Sequence, residues 1–120
     1  MDNLSNIIYI KRGKKKINLK VHKVSFFGRF SGLMFRTRKV ENLLFEFSED
    51  VNYSIHSLFV FFPFLAVWLD KNNNVVDKKI VFPFILSVKT KKMFRKLVEI
   101  PLNNENTKIV DFLVGKKRFK

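Results

Sequence analysis

Hydrophobic positions in this chain form short runs whose period changes from one segment to the next. Ile7 to Ile10 make a first apolar run, and Ile17, Leu19, Val21 and Lys23 then alternate with Asn18, Lys20 and His22, the period of a half-buried strand. Lys11 to Lys16 form a turn around Gly13, so residues 6–23 predict two short strands, with His22 on the polar face as a solvated side chain. The period then changes. Ser25 is a suitable helix cap, and Phe26, Phe30, Leu33 and Met34 fall at helical spacing with Arg29 outward. Gly28 and Gly32, four apart on that predicted helix, leave room for another backbone, and the aromatic residues beside them are expected to pack in the core.

From Glu41 to Ser48, Leu43, Phe45 and Phe47 alternate with Asn42, Leu44, Glu46 and Ser48, which predicts a strand followed by a polar loop at Ser48, Glu49, Asp50 and Asn52. The organising stretch is Tyr53 to Asp77. Two apolar runs meet at Pro63, predicting one strand over 54–62 and another over 65–69, because proline cannot sit inside a central strand. Asp70 to Asn74 reads as a hairpin loop and Val75 to Phe82 as the returning strand. Such near-continuous apolar strands are expected where both faces are covered, as in a small barrel or beneath a helix. Met93 to Ile100 fits either period; a short turn followed by a strand over 95–100 is preferred. Asn103 to Asn106 is a polar loop, and Thr107 to Val114 is expected to give a helical turn leading into a last strand, with a basic tail after Gly115.

Length and composition narrow this picture. At 120 residues the chain suits a single domain over 1–120 with one modest core, and its 15 Phe argue against disorder. There is no Cys, which removes disulfides, thiolate metal sites and a cysteine nucleophile. The apolar run from Leu58 to Leu69 has 12 residues, with Pro63 inside it, against about 20 for a bilayer span. The first residues put their apolar patch before the positive charges, the reverse of a secretory signal, so a cytoplasmic location is expected.

The net charge of +14 is unevenly distributed. Between Asp2 and Glu41 lie 11 basic residues and no acid; from Glu41 to Leu86 six acids face three lysines; from Ser87 onward ten basic residues face three acids. Such a field attracts nucleic acid and other polyanions, with Lys11, Arg12, Lys14, Lys15, Lys16, Arg29 and Arg38 as the candidate contacts. Eighteen of the 24 basic residues are Lys, in a chain also rich in Asn, Ile and Phe. An A/T-rich coding sequence produces that bias without selection for binding, so the charge has a compositional explanation as well. Only six are Arg, the residue that base-reading sites usually favour.

Catalytic and metal chemistry find little support. The two histidines are 34 residues apart without cysteines, which gives no transition-metal spacing, and Glu46, Glu49 and Asp50 read as a solvated group. No cofactor is expected, since the four glycines form no phosphate-binding loop. His56 lies between Ser54 and Ser57, and Asp70 could orient its ring, so a hydrolase-like site can be drawn. Adjacent strand residues point to opposite faces, however, and no nucleophile elbow is present. A packed, hydrogen-bonded histidine is the commoner reading, and no residue is assigned as catalytic. A barrel mouth carrying Arg36, His56 and Trp68 would instead offer an apolar pocket with a few polar groups, suited to an unknown ligand.

Gly32-Leu33-Met34-Phe35-Arg36, followed by Leu43-Leu44-Phe45-Glu46-Phe47, Ser54-Ile55-His56, Phe62-Pro63, and Trp68-Leu69-Asp70 with Val75-Val76, resembles the domain-of-unknown-function 192 family, also called uncharacterised protein family 0127. The resemblance runs over about 24–115, and the first block is its most specific part. It implies a compact single domain, mainly β with one or two short helices, known in cytoplasmic and exported versions, and it implies no activity. The chain departs from the family where a Pro-x-Asp pattern is usual and Leu65 stands instead of Asp. It departs again where Asn103 replaces the Gly after a Leu-Glu-x-Pro motif, read here against Leu97 to Pro101, and where Gly115-Lys116 replaces Gly-Asp. These departures favour a retained fold over a retained chemistry. The expected fold class is therefore α+β, mainly antiparallel β, as a small barrel-like sheet. The expected function is a non-enzymatic binding module, with polyanion binding as the alternative and a hydrolase-like activity as a distant one.

Overall fold

The computed structural model describes residues 5–24, 42–52, 63–82, 88–103 and 106–115. Within them the chain order is β1 (Ser5–Arg12), β2 (Lys15–Val24), β3 (Leu43–Val51), β4 (Phe64–Leu69), β5 (Val75–Val81), β6 (Phe94–Pro101) and α1 (Thr107–Val114). The strands form one six-stranded sheet in the order β1-β2-β3-β6-β4-β5. All neighbours are antiparallel except β2 and β3, which run parallel from His22–Leu43 to Val24–Phe45. The expected helix at 25–35 and the expected strand at 54–62 lie outside the described residues.

The sheet curls into a half-barrel because its two edge strands are drawn together at one end. The Lys11 amide donates to the Asn73 carbonyl at 2.8 Å, and Lys11 bridges Asn74 in parallel, so β1 touches the turn between β4 and β5. Both turns that make this meeting possible are local. Gly13 takes φ 65° between β1 and β2. In the β4–β5 turn, Asp70 Oδ1 accepts the amides of Asn72 at 2.8 Å and Asn74 at 2.9 Å, while Asn73 adopts φ 70°, a region that Asn tolerates better than most side chains. Burial acts to raise the Asp70 carboxyl, but these bonds, the Asn74 side chain and the Lys11 charge outweigh it and hold the carboxyl below its ordinary value.

Two cores lie on opposite faces of the sheet, as the continuous apolar β4 requires. Inside the curl, Ile8, Ile10, Leu19, Val21, Leu44, Leu65, Val67, Leu69, Val98 and Ile100 pack together, and α1 closes them with Val110 and Leu113. On the outer face Leu43, Phe45, Phe64, Ala66, Trp68, Val81, Phe94 and Leu97 form a second cluster. All six residues of β4 are buried, so this strand has no solvent face. The helix is tied down at both ends. Asn106 Nδ2 donates to the Pro101 carbonyl at 2.8 Å, and Arg12 Nη1 donates to the Phe112 carbonyl at 2.7 Å near the helix C-terminus, where a cation is favoured.

Two expectations are corrected. The polar run Ser48 to Asp50 is not a loop but part of β3, which continues to Val51 past an irregularity in its pairing with β6. Exposed polar residues are compatible with a strand here because Val51 is buried and Asp50 pairs with Arg95 at 3.1 Å. Thr107 to Val114 is a full helix ending at Gly115, with no further strand among the described residues. Its Val110 and Leu113 fall at helical spacing on the core, and this packing outweighs the strand tendency of the β-branched residues.

Candidate functional site

Among the described residues the candidates fall in two places, β4 and the β1–β2 hairpin. Trp68 lies in β4, fully buried on the outer face rather than at an open mouth, with its ring 6.3 Å from that of Phe94 in an edge arrangement. Arg36 and His56 lie outside the described residues, as do Arg29 and Arg38. Asp70, considered as an orienting partner for His56, uses its carboxylate in its own turn. Lys11, Arg12, Lys14, Lys15 and Lys16 all occupy the exposed tip of the β1–β2 hairpin. There Lys16 Nζ stands 5.0 Å over the Tyr9 ring, and Arg12 reaches α1. Among the described residues, no group of three His, Cys, Asp or Glu side chains could hold a metal, and no helix is long and apolar enough to cross a membrane.

The outer face of β6 holds a residue that sequence reasoning did not single out. Glu99 is directly opposite Leu43 of β3 and Ala66 of β4, so its side chain stands among the outer cluster. It is 6% exposed, and its Oε1 has no hydrogen-bond partner among the described residues. Trp68 is opposite Leu97, one diagonal step from Glu99 on the same face, a spacing of roughly 7–8 Å. Its indole Nε1 is likewise buried without a partner among those residues. Each such group forfeits about 1–3 kcal/mol of solvation when left unpaired. Burial pushes the Glu99 carboxyl up from 4.5 to about 8, so near neutral pH it is largely a protonated acid.

What the pair offers is therefore uncharged: an indole N–H donor and a carboxylic acid that can both accept and donate. The sequence signal was faint but present. Glu99 is the one charged residue in Leu97 to Pro101, between neighbours that both face cores. A single acid in the middle of an apolar strand is unremarkable on an edge and costly in the centre of a sheet. Only the strand order puts β6 in the centre.

No protein-family model matches the chain. No curated protein matches it either. Solved structures do share its fold. A "putative transcription regulator" from Sinorhizobium meliloti 1021 superposes with a TM-score of 0.73 at 14% identity, over 88% of this chain and 85% of that one. A protein of unknown function from Novosphingobium aromaticivorans DSM 12444 gives a TM-score of 0.72 at 12% identity, over 88% and 79%. At these identities the likeness concerns the fold alone.

A second polar cluster joins β5 to the segment before β6. Thr90, 1% exposed, donates from Oγ1 to Asp77 Oδ2 at 2.6 Å, and the Lys78 amide donates to Asp77 Oδ1 at 2.8 Å. Burial acts to raise this carboxyl, but the Thr90 and Lys78 bonds and the charges of Lys79 and Lys92 prevail and hold it below its ordinary value. Its bonds are made within the protein, so it reads as structural.

Proposed function

We propose that the chain is a small-molecule binding module of the domain-of-unknown-function 192 type, in which Trp68 and Glu99 anchor an uncharged polar group on an otherwise apolar ligand. Arg36 and His56 are the further candidate contacts of this module, on segments outside the described residues. The observation that carries the reading is the pair of buried atoms without a hydrogen-bond partner among the described residues, the Trp68 N–H and Glu99 Oε1, on one apolar face. Buried polar groups in folded proteins are nearly always paired, and an exception calls for a partner such as a ligand or an ordered water. A hydroxyl or primary amide matches the pair, because each both donates and accepts. A carboxylate does not, since it would meet the acid in a site where charge is costly.

The chain has a single Trp, so its emission reports on this site directly. Titration with benzyl alcohol and benzamide is expected to shift that emission saturably, whereas benzoate at the same concentration does not. Glu99→Leu should remove the response by deleting one anchor. If neither probe shifts the emission, or if a high-resolution structure shows one ordered water bonded to both groups, the ligand reading is wrong.

The second reading is non-specific polyanion binding. Its support is the exposure of Lys11, Arg12, Lys14, Lys15 and Lys16 on one hairpin tip, next to the half-exposed Tyr9. Binding to random-sequence DNA at increasing salt tests it. A steep log–log slope supports the reading, and an absence of retention at low salt ends it.

A further inference from the structure

Where β1 meets the β4–β5 turn, the end of the half-barrel carries an open pocket of about 360 Å³, within the size range of small-molecule sites. It lies on the inner side of the sheet, with Ile8 and Leu44 of the inner core at its base, away from Trp68 and Glu99. Its polar lining comes from four strands or turns: Lys23 of β2, Glu46 of β3, Lys96 of β6 and Asn73 of the β4–β5 turn. Glu46 is directly opposite Lys96 in the sheet, yet its Oε1 is 3.0 Å from Lys23 Nζ. Lys96 Nζ instead donates to Asn73 Oδ1, a neutral oxygen. Glu46 thus pairs with Lys23, while its cross-strand neighbour Lys96 points its ammonium at a neutral oxygen of the mouth.

The backbone of Asn73 is hydrogen-bonded on both sides. Asn73 has φ 70°, its amide donates to the Asp70 carbonyl at 3.0 Å, and its own carbonyl accepts the Lys11 amide at 2.8 Å. The oxygen facing Lys96 is therefore set by the same turn that draws the sheet edges together.

We infer that this mouth binds a small organic monoanion, with its carboxylate between Lys96 and Lys23 and its short apolar part over Ile8 and Leu44. The incoming carboxylate takes over the Lys96 ammonium from Asn73 and competes with Glu46 for Lys23. This site is independent of the Trp68–Glu99 reading: it lies on the other face and selects for charge, where that one selects against it.

Two-dimensional amide NMR of the full chain, titrated with hexanoate and separately with hexanamide, tests the inference. Hexanoate should shift the Asn73, Lys96 and Glu46 signals saturably, and hexanamide should bind at least about ten-fold more weakly, the effect of losing one charge-assisted contact. Lys96→Gln should weaken hexanoate by about ten-fold, while Glu46→Gln, which frees Lys23 and removes a like charge, should strengthen it by several-fold. The spectra themselves show whether each variant is folded. Equal binding of acid and amide, no binding of the acid, or shifts spread over the Lys14 to Lys16 tip rather than the mouth would overturn it.

Discussion

Glu99→Gln should change the pH dependence of stability in a way that few other substitutions could. Burial raises this carboxyl from 4.5 to about 8. The folded protein therefore keeps a proton that the unfolded chain releases between those values. The sign follows: the protein is not penalised below about pH 4.5, loses stability as pH rises, and reaches the full penalty above about pH 8. At about 1.4 kcal/mol per pH unit the whole interval amounts to about 5 kcal/mol, and the part incurred by pH 7 to about 3 kcal/mol. A domain of this size has only about 5–15 kcal/mol in total, so the effect is measurable.

Glutamine keeps the shape and cannot ionise, but an unpaired buried amide costs about 1–3 kcal/mol at every pH. The variant should therefore be less stable than the parent at pH 5, equal to it near about pH 6, and more stable by about 2–3 kcal/mol at pH 8. Urea unfolding followed by the emission of the single Trp, at fixed ionic strength from pH 5 to 8.5, gives the difference curve directly. Other titrating groups cancel in the difference. A flat curve would show that Glu99 ionises normally in the folded protein and is not a neutral buried acid.

Three further outcomes are expected. Trp68→Ala should cost about 3–5 kcal/mol by circular dichroism melting and Trp68→Phe much less, because phenylalanine refills most of the space beside Phe94 and removes the orphaned N–H; equal losses would contradict the packing described for the outer face. Asn73→Ala should lower the unfolding free energy in urea by about 1 kcal/mol and Asn73→Gly by less, since both lose the side-chain bond to Lys96 but only alanine keeps a β-carbon at φ 70°; if glycine is the worse of the two, the left-handed backbone is not what decides this position. Thr90→Val should cost about 1–2 kcal/mol at pH 7 and little at pH 2. Asp77 is held below its ordinary value partly by Thr90, so its contribution is present above about pH 4 and lost as acid protonates it. A loss that persists undiminished in acid would mean that the Asp77 bond is not the cause.

The sequence by itself determined the elements whose signals are local. Alternation in Ile17, Leu19 and Val21 placed β2, Gly13 and the Asp70–Asn74 run placed two turns, and the unbroken apolar run after Pro63 announced a strand covered on both faces. Each of these depends on neighbours within a few residues, where periodicity and turn chemistry act. The tertiary structure decided the rest. The extension of β3 through Glu49 and Asp50 leads to Val51, buried and paired with Phe94 of β6, and the helical state of Thr107 to Val114 depends on a core for Val110 and Leu113 to enter. Glu99 is the clearest case, because no local pattern separates an acid on an edge strand from one in the middle of a sheet. The insertion of β6 between β3 and β4 takes water away from that carboxyl, and the approach of β1 to the β4–β5 turn brings Lys23, Glu46, Asn73 and Lys96 to one mouth. Desolvation and convergence are properties of strand order, and strand order is set by the packing of distant segments, which a one-dimensional pattern does not contain.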